Sequence, residues 1–358
     1  NDPEDCERIG YVPRTIHNGR RQSAAVAFLR PAERRANLTI ATGAIVWDIL
    51  FNGMKACGVR AIRDGRAEEY RAGREVVLAA GNMASPAILQ RSGIGPADHL
   101  RALGIAVRHD SPEVGENVRE HRGLVMQWQV PDELSQNREF RGLRLVANTL
   151  RYALARSGPM TNAAYEVGGW FRTRPDLPRP DAQILVAPFS FDFSAPRVQV
   201  EAHGGMNICA YGLRPQSRGR VRIRSADPRV LPEIVPNYCG DTADRRLVVD
   251  LVRQVRRFVS QGPLAEAVLA ETRPGPSFES DEEIFEAYRR FGYGSYHASG
   301  SCRMGRDERA VVDSELRVRG VEGLRVVDTS VFPFILSGNT NGPAMAVAWR
   351  AADLILGE

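Results

Sequence analysis

The sequence predicts a mixed α/β (α+β) fold that combines part of a doubly wound, nucleotide-binding type of unit with a mostly antiparallel sheet flanked by helices. The first observation is Val76-Val77-Leu78-Ala79-Ala80, an apolar strand that runs into Gly81 and then into Ser85-Pro86, a pair suited to start a helix. The second is a series of short alternating strands between about 166 and 225. The third is a long apolar helix that follows Asn341-Gly342-Pro343 and brings the chain back to its first unit. At 358 residues there is room for two domains, and the composition shifts near Gly123. The expected division is 1–122 with 295–358 as one domain and 123–294 as the other.

Taken in order, residues 1–30 are polar and broken by Pro3 and Pro13, with a short helix near Ser23 to Phe28. Asn37 to Ala41 and Val46 to Phe51 alternate as strands, and Gly53 and Gly58 turn the chain into further strands at Ala56 to Arg63 and Glu68 to Arg71. The helix after Gly81 ends at Ser92-Gly93-Ile94-Gly95-Pro96, and another follows from Ala97 to Leu103. Phe140 to Arg156 is an arginine-rich amphipathic helix stopped by Ser157-Gly158-Pro159. Strands then follow at Glu166 to Thr173, Ala182 to Ala187, Met206 to Leu213 and Gly219 to Ser225. In the last, Arg220, Arg222 and Arg224 alternate with Val221 and Ile223, the pattern of a strand wet on one face. Leu247, Leu251, Val255 and Phe258 mark a helix over Asp244 to Val259, and Asp281 to Phe291 forms the next. In the C-terminal helix, Met345, Ala348, Trp349, Ala352 and Leu356 recur at helical spacing and predict its buried face, with Asn341 or Gly342 as cap.

Composition excludes several classes of function. The chain is 43% hydrophobic and 25% charged, as in ordinary globular proteins. Its net charge of +5 comes almost wholly from arginine, since Lys55 is the only lysine, and basic residues are interleaved with acids throughout. No basic stripe with aromatics is present, so nucleic acid is not an expected partner. The five cysteines form no C-x-x-C pair and no metal-ligand spacing, which points to a reduced, cytoplasmic setting without a metal. There is no run of 18 apolar residues and so no expected transmembrane segment.

Three C-terminal segments carry the chemistry. Tyr296-His297-Ala298-Ser299-Gly300-Ser301-Cys302 sets one histidine among small residues. Gly323-Leu324-Arg325-Val326-Val327-Asp328-Thr329-Ser330 is an apolar run ending in an acid and hydroxyls, and Ser337-Gly338-Asn339-Thr340-Asn341-Gly342-Pro343 opens a helix whose N-terminus favours negative charge. Together with Gly81-Asn82-Met83-Ala84-Ser85-Pro86, these segments resemble the glucose–methanol–choline (GMC) family of FAD-dependent oxidoreductases. Val114-Gly115-Glu116-Asn117-Val118-Arg119-Glu120-His121 is similar to a further family block, with Glu120 in place of an aspartate; His121 reads as a structural histidine closing a loop.

The resemblance implies an incomplete FAD-binding Rossmann-like domain (1–122 and 295–358) and a substrate-binding domain (123–294). It implies oxidation of a small-molecule alcohol to an aldehyde or ketone, with oxygen or another electron acceptor. His297 matches the family's base, and a histidine's ordinary pKa suits that role. Asn339 matches the position that holds the substrate oxygen. FAD contacts are expected at Val46, Gly81, Asp328, Thr329, Asn339, Asn341 and Pro343, although Val46 also reads as a plain buried strand valine. Tyr296 and Glu166 are candidate substrate contacts, Glu166 being equally readable as an exposed strand carboxylate. The family's opening G-x-G-x-x-G fingerprint is absent and the first residue is Asn1, so the expectation is a C-terminal portion lacking the N-terminal dinucleotide-binding segment and inactive by itself. The competing reading is a non-catalytic remnant that binds a ligand or partner.

Overall fold

The computed structural model describes residues 7–357, and Pro3 and Cys6 lie outside them. The chain divides into two compact units, one of Asn1–Ile40, Arg122–Leu213 and Arg245–Tyr293, the other of Ala41–His121, Arg214–Asp244 and Gly294–Glu358. Residues up to Ile40 and the stretch 214–244 thus group otherwise than the expected division had them.

The first unit is built on a seven-stranded sheet whose main path runs Arg8–Tyr11, Val167–Phe171, Ala182–Ala187, Gly205–Gly212, Arg122–Gln129 and Ala270–Arg273, every neighbour antiparallel. Strands Ala182–Ala187 and Gly205–Gly212 are buried almost throughout, because both faces are covered. On one face Val125, Cys209, Tyr211 and Leu213 form a core with Tyr165, Leu185 and Tyr293 against it. Its longer helices are Gly142–Ala155, Thr242–Val259 from Arg245 onward, and Asp281–Phe291, the last opened by a capping box in which Ser280 and Glu283 satisfy each other's backbone N–H.

In the second unit, Ala44–Asn52, Lys55–Arg63 and Arg66–Arg71 make a three-stranded antiparallel meander. The expected strand at Asn37 to Ala41 does not form: the backbone there makes a turn bond, Leu38 N–H to the Arg35 carbonyl, but no ladder with a strand among the described residues, and Ile40 is exposed. Val76–Leu78 instead pairs in parallel with Leu324–Val326, and their side chains lock into a core with Ile88, Leu89, Ile94, Val312, Val331 and Phe332. Among the described residues, no helix is long and apolar enough to cross a membrane.

The helix after Val76–Leu78 runs Gly81–Arg91, so Ser85-Pro86 does not begin it but sits in its second turn. A proline there leaves the carbonyl four residues earlier, that of Asn82, without its helical donor. The Ser301 hydroxyl supplies one, donating to the Asn82 carbonyl oxygen at 2.6 Å. The C-terminal helix spans Asn341–Leu356 with Thr340 as N-cap and no side-chain cap, so neither Asn341 nor Gly342 closes it. Its expected buried face is also wrong. Trp349 and Leu356 are 68% and 64% exposed, and Ala351 is the helical residue that is buried, with Val347 packed beside it. A helix apolar on nearly every side gives periodicity nothing to phase on.

Candidate active site

The candidate site lies within the second unit and is assembled by lashing two distant segments side by side. Arg119 and Ser299 exchange backbone hydrogen bonds at 3.0 and 2.9 Å, and Ser295 N–H donates to the His121 carbonyl at 2.8 Å. Gly300 makes the close approach possible: at φ +94°, a Cβ there would stand 2.6 Å from the Asn117 carbonyl oxygen. On the far side the 300–304 segment donates its Gly300, Cys302 and Met304 N–H groups to Thr329, Ser330 and Val331 carbonyls.

Held this way, His297 is buried to 7% exposure and each ring nitrogen has a neighbour. Nε2 lies 3.0 Å from the Asn339 amide nitrogen, and Nδ1 lies 2.9 Å from Nδ1 of His121, the two imidazoles meeting edge to face. An amide nitrogen can only donate, so Nε2 of His297 accepts and carries no proton. The proton then sits on Nδ1 and is given to the lone pair of His121 Nδ1. Burial pushes the His297 imidazole down to about 4, so the neutral, proton-accepting form prevails across the neutral range.

A carboxyl group meets His297 at its backbone. Glu120 accepts the His297 backbone N–H at 2.8 Å. Burial pushes it up to about 7, against the backbone N–H groups of His297, Ala298, His121 and Ser295, which pull it down. Glu120, which stands where the resembling block has an aspartate, and His121, which reads as a structural histidine, both touch His297. Their adjacency in a block preceding the sheet unit is the one local signal that could have singled them out.

The other expected positions are placed as follows. Asp328 has both oxygens engaged: one accepts from Gly81 N–H at 2.9 Å and the Ser85 hydroxyl at 2.6 Å, the other from Ser330 N–H at 2.8 Å. The Thr329 hydroxyl donates to the Ala298 carbonyl at 3.0 Å. Asp328, Thr329 and Gly81 therefore join one scaffold under the histidine loop. Val46 is half-buried on its strand, with its carbonyl accepting from Arg91 at 3.4 Å. Asn341 and Pro343 lie in the uncapped first turn of the C-terminal helix, two and four residues after Asn339. Tyr296, beside His297, is 92% exposed at a positive φ of 61°. Glu166 belongs to the first unit, where its carboxylate stands 4.0 Å from Arg14.

Two observations test whether these residues suit a polar, electron-rich group. A Cβ added at Gly81 would meet no atom within 4 Å, so the backbone there faces open space. Beside it, Asn82 Nδ2 is buried with no hydrogen-bond partner among the described residues. With the uncapped helix start, they fit an acceptor-rich ligand such as a dinucleotide.

An imidazole nitrogen that accepts, an amide that donates and an open stretch of backbone at Gly81 are the parts of this candidate site. Sequence models of the GMC oxidoreductase family match residues 1–122 and 215–348, and the chain belongs to that family, whose members use FAD. Because the N-terminal family model matches 1–122, the expectation that only the C-terminal portion is represented is corrected. Neither match supports the expected inactivity. The chain is 37% identical over 353 residues to an oxygen-dependent choline dehydrogenase of Chromohalobacter salexigens, covering 98% of this chain and 63% of that protein. It is 40% identical over 354 residues to one from Paraburkholderia phymatum, covering 98% and 61%. Its fold is similar to an Aspergillus oryzae RIB40 formate oxidase, solved in a study of FAD modification, with a TM-score of 0.88, 25% identity and coverage of 95% of this chain and 64% of the other. The chain thus spans somewhat under two thirds of the length of these relatives.

Proposed function

We propose that this chain carries the proton-handling half of an FAD-dependent alcohol oxidation, with His297 as base and Asn339 as the group that holds the substrate oxygen. The observation behind this reading is the 3.0 Å approach of Asn339 Nδ2 to His297 Nε2. A hydroxyl brings one proton to donate and lone pairs to accept with, matching an imidazole nitrogen that accepts and an amide that donates. His297 takes the hydroxyl proton at Nε2 as the carbon–hydrogen bond breaks, and His121, at Nδ1, fixes the tautomer that leaves Nε2 without a proton. Asn339 donates to the oxygen as it gains charge and does not titrate. Glu120 and the paired Arg119–Ser299 backbone hold the His297 main chain in place. Val46, Gly81, Asp328, Thr329, Asn339, Asn341 and Pro343 would hold FAD, which when bound would supply the two-electron acceptor that no side chain can provide. The choline named in the relatives makes a small alcohol the substrate class, and oxygen or another oxidant takes the electrons onward.

Anaerobic rapid mixing of the flavin-loaded full-length protein with alcohol tests the assignment. His297→Gln is expected to slow flavin reduction by about 10²–10⁴-fold without loss of bound flavin, the range for removing a general base. Asn339→Ala should cost less, about 10-fold for one lost hydrogen bond. A reduction rate unchanged by His297→Gln would rule His297 out as the base.

A further inference from the structure

The first unit contains a cavity of about 600 Å³ whose wall includes the aromatic rings of Tyr165, Phe191, Phe193, Phe291 and Tyr293. Phe189, Phe191 and Phe193 stand edge to face in a row, with ring centroids 5.3 and 5.9 Å apart. Into this wall the last strand of the sheet sends Arg273. Its guanidinium carbon lies 3.9 Å from the ring centre of Phe193 and 4.4 Å from that of Phe291, so the cation is stacked against two rings. Arg197, on the exposed loop that also lines the cavity, adds a second positive charge.

Arg273 is poorly satisfied where it stands. Its Nε is buried without a hydrogen-bond partner among the described residues, and its one hydrogen bond is a long 3.5 Å contact from Nη2 to the Phe291 carbonyl. The nearest acid in sequence, Glu271, is engaged instead by Arg256 at 2.8 Å. Asp192, the acid among the lining residues, accepts from Ser194 N–H, the Ser194 hydroxyl and the Gln199 amide. A partly desolvated cation without an anion is costly, and two aromatic faces offset only part of that cost. Burial and the neighbouring Arg290 both press on the charged form, lowering its pKa.

We propose that this cavity is a binding site for an aryl carboxylate, with the ring against Phe191, Phe193 and Phe291 and the carboxylate on Arg273, assisted by Arg197. A planar fork of N–H donors matches a carboxylate, and an aromatic body matches the edge-to-face row. The inference rests on the first unit alone and does not depend on His297 or Asn339.

Calorimetric titration with benzoate and its neutral isostere benzamide tests it on the full chain. Benzoate is expected to bind at least 10-fold more tightly than benzamide, and the advantage should shrink as salt is raised from 20 to 500 mM, roughly as screening dictates. Arg273→Met should abolish the preference, and Arg273→Lys should keep part of it. Phe193→Leu, at a half-exposed position that folding tolerates, should weaken both ligands together. Equal affinity for benzoate and benzamide in the wild type overturns the proposal, as does an undiminished benzoate preference in folded Arg273→Met. If Arg273→Met does not fold, the salt dependence in the wild type and the Phe193→Leu result decide the matter by the same criteria.

Discussion

Two titrating groups at the candidate site, the Glu120 carboxyl and the His297 imidazole, are displaced in opposite directions, and this has a thermodynamic signature. Glu120 is raised from 4.5 to about 7, so between those values the folded chain holds a proton that the unfolded chain has released, and stability is lost as pH rises through that window. His297 is lowered from 6.5 to about 4, so the unfolded chain holds the extra proton, and stability is lost as pH falls through that window. Each amounts to about 3 kcal/mol at 1.36 kcal/mol per pH unit, and between pH 4.5 and 6.5 the two offset one another. The wild type should therefore show little contribution from this pair in that range. Glu120→Gln should expose the histidine alone, with stability rising between about pH 4 and 6.5. His297→Gln should expose the carboxyl, with stability falling between about pH 4.5 and 7. Urea unfolding at a series of pH values reads both slopes, and parallel curves for the three proteins would show that neither group is displaced. The neighbouring histidine shows why residue-level reading fell short: His121 and His297 are 176 positions apart, and nothing in either neighbourhood announces that their rings meet.

Among the elements, the two crossing segments matter more than any helix. The 117–121 and 295–301 stretches are not regular strands, yet their paired backbone groups carry Glu120, His121 and His297 into one cluster. The closeness depends on Gly300, whose left-handed φ of +94° and proximity to the Asn117 carbonyl leave no place for a side chain. Gly300→Ala should lose about 1–3 kcal/mol from backbone strain, with more from the collision, and should loosen the His121–His297 contact. Gly342→Ala is the matched control, since a Cβ there meets nothing within 4 Å and its φ is not left-handed. Thermal unfolding should separate the two variants by several degrees. If Gly300→Ala melts with the control, the lashing of these segments is not what holds the histidine.

Across the whole molecule, what the sequence pattern reached was short, well-bounded elements, some wet on one face and some buried on both. Ala182–Ala187 and Asp281–Phe291 sit where their patterns put them, and Arg220–Arg222 alternates in and out as read, with Val221 buried and Arg222 paired to Glu116. The His297 and Asn339 loops were legible as motifs, but the 3.0 Å between them is made by tertiary pairing that no local pattern encodes. The uniformly apolar C-terminal helix and the isolated 37–41 segment were misread because one had no phase and the other no partner. This dependence on distant pairing yields a prediction about folding. In the second unit, residues 41–121 supply the meander and the Gly81–Arg91 helix, but Val76–Leu78 pairs with Leu324–Val326, and Ala56 N–H donates to the Glu322 carbonyl. Leu78, Ile88, Leu89 and Ile94 share their core with Val312, Leu324, Val326 and Phe332, all from the last 65 or so residues of the chain. Expressed alone, 41–121 should keep strand signal from the meander yet unfold gradually and bind a hydrophobic dye, because half of its core is missing. Adding 294–358 in trans should restore a sharp transition and suppress dye binding. A steep, cooperative melt of 41–121 alone, matching that of the intact chain, would show that the return segment is decoration on a unit already folded without it.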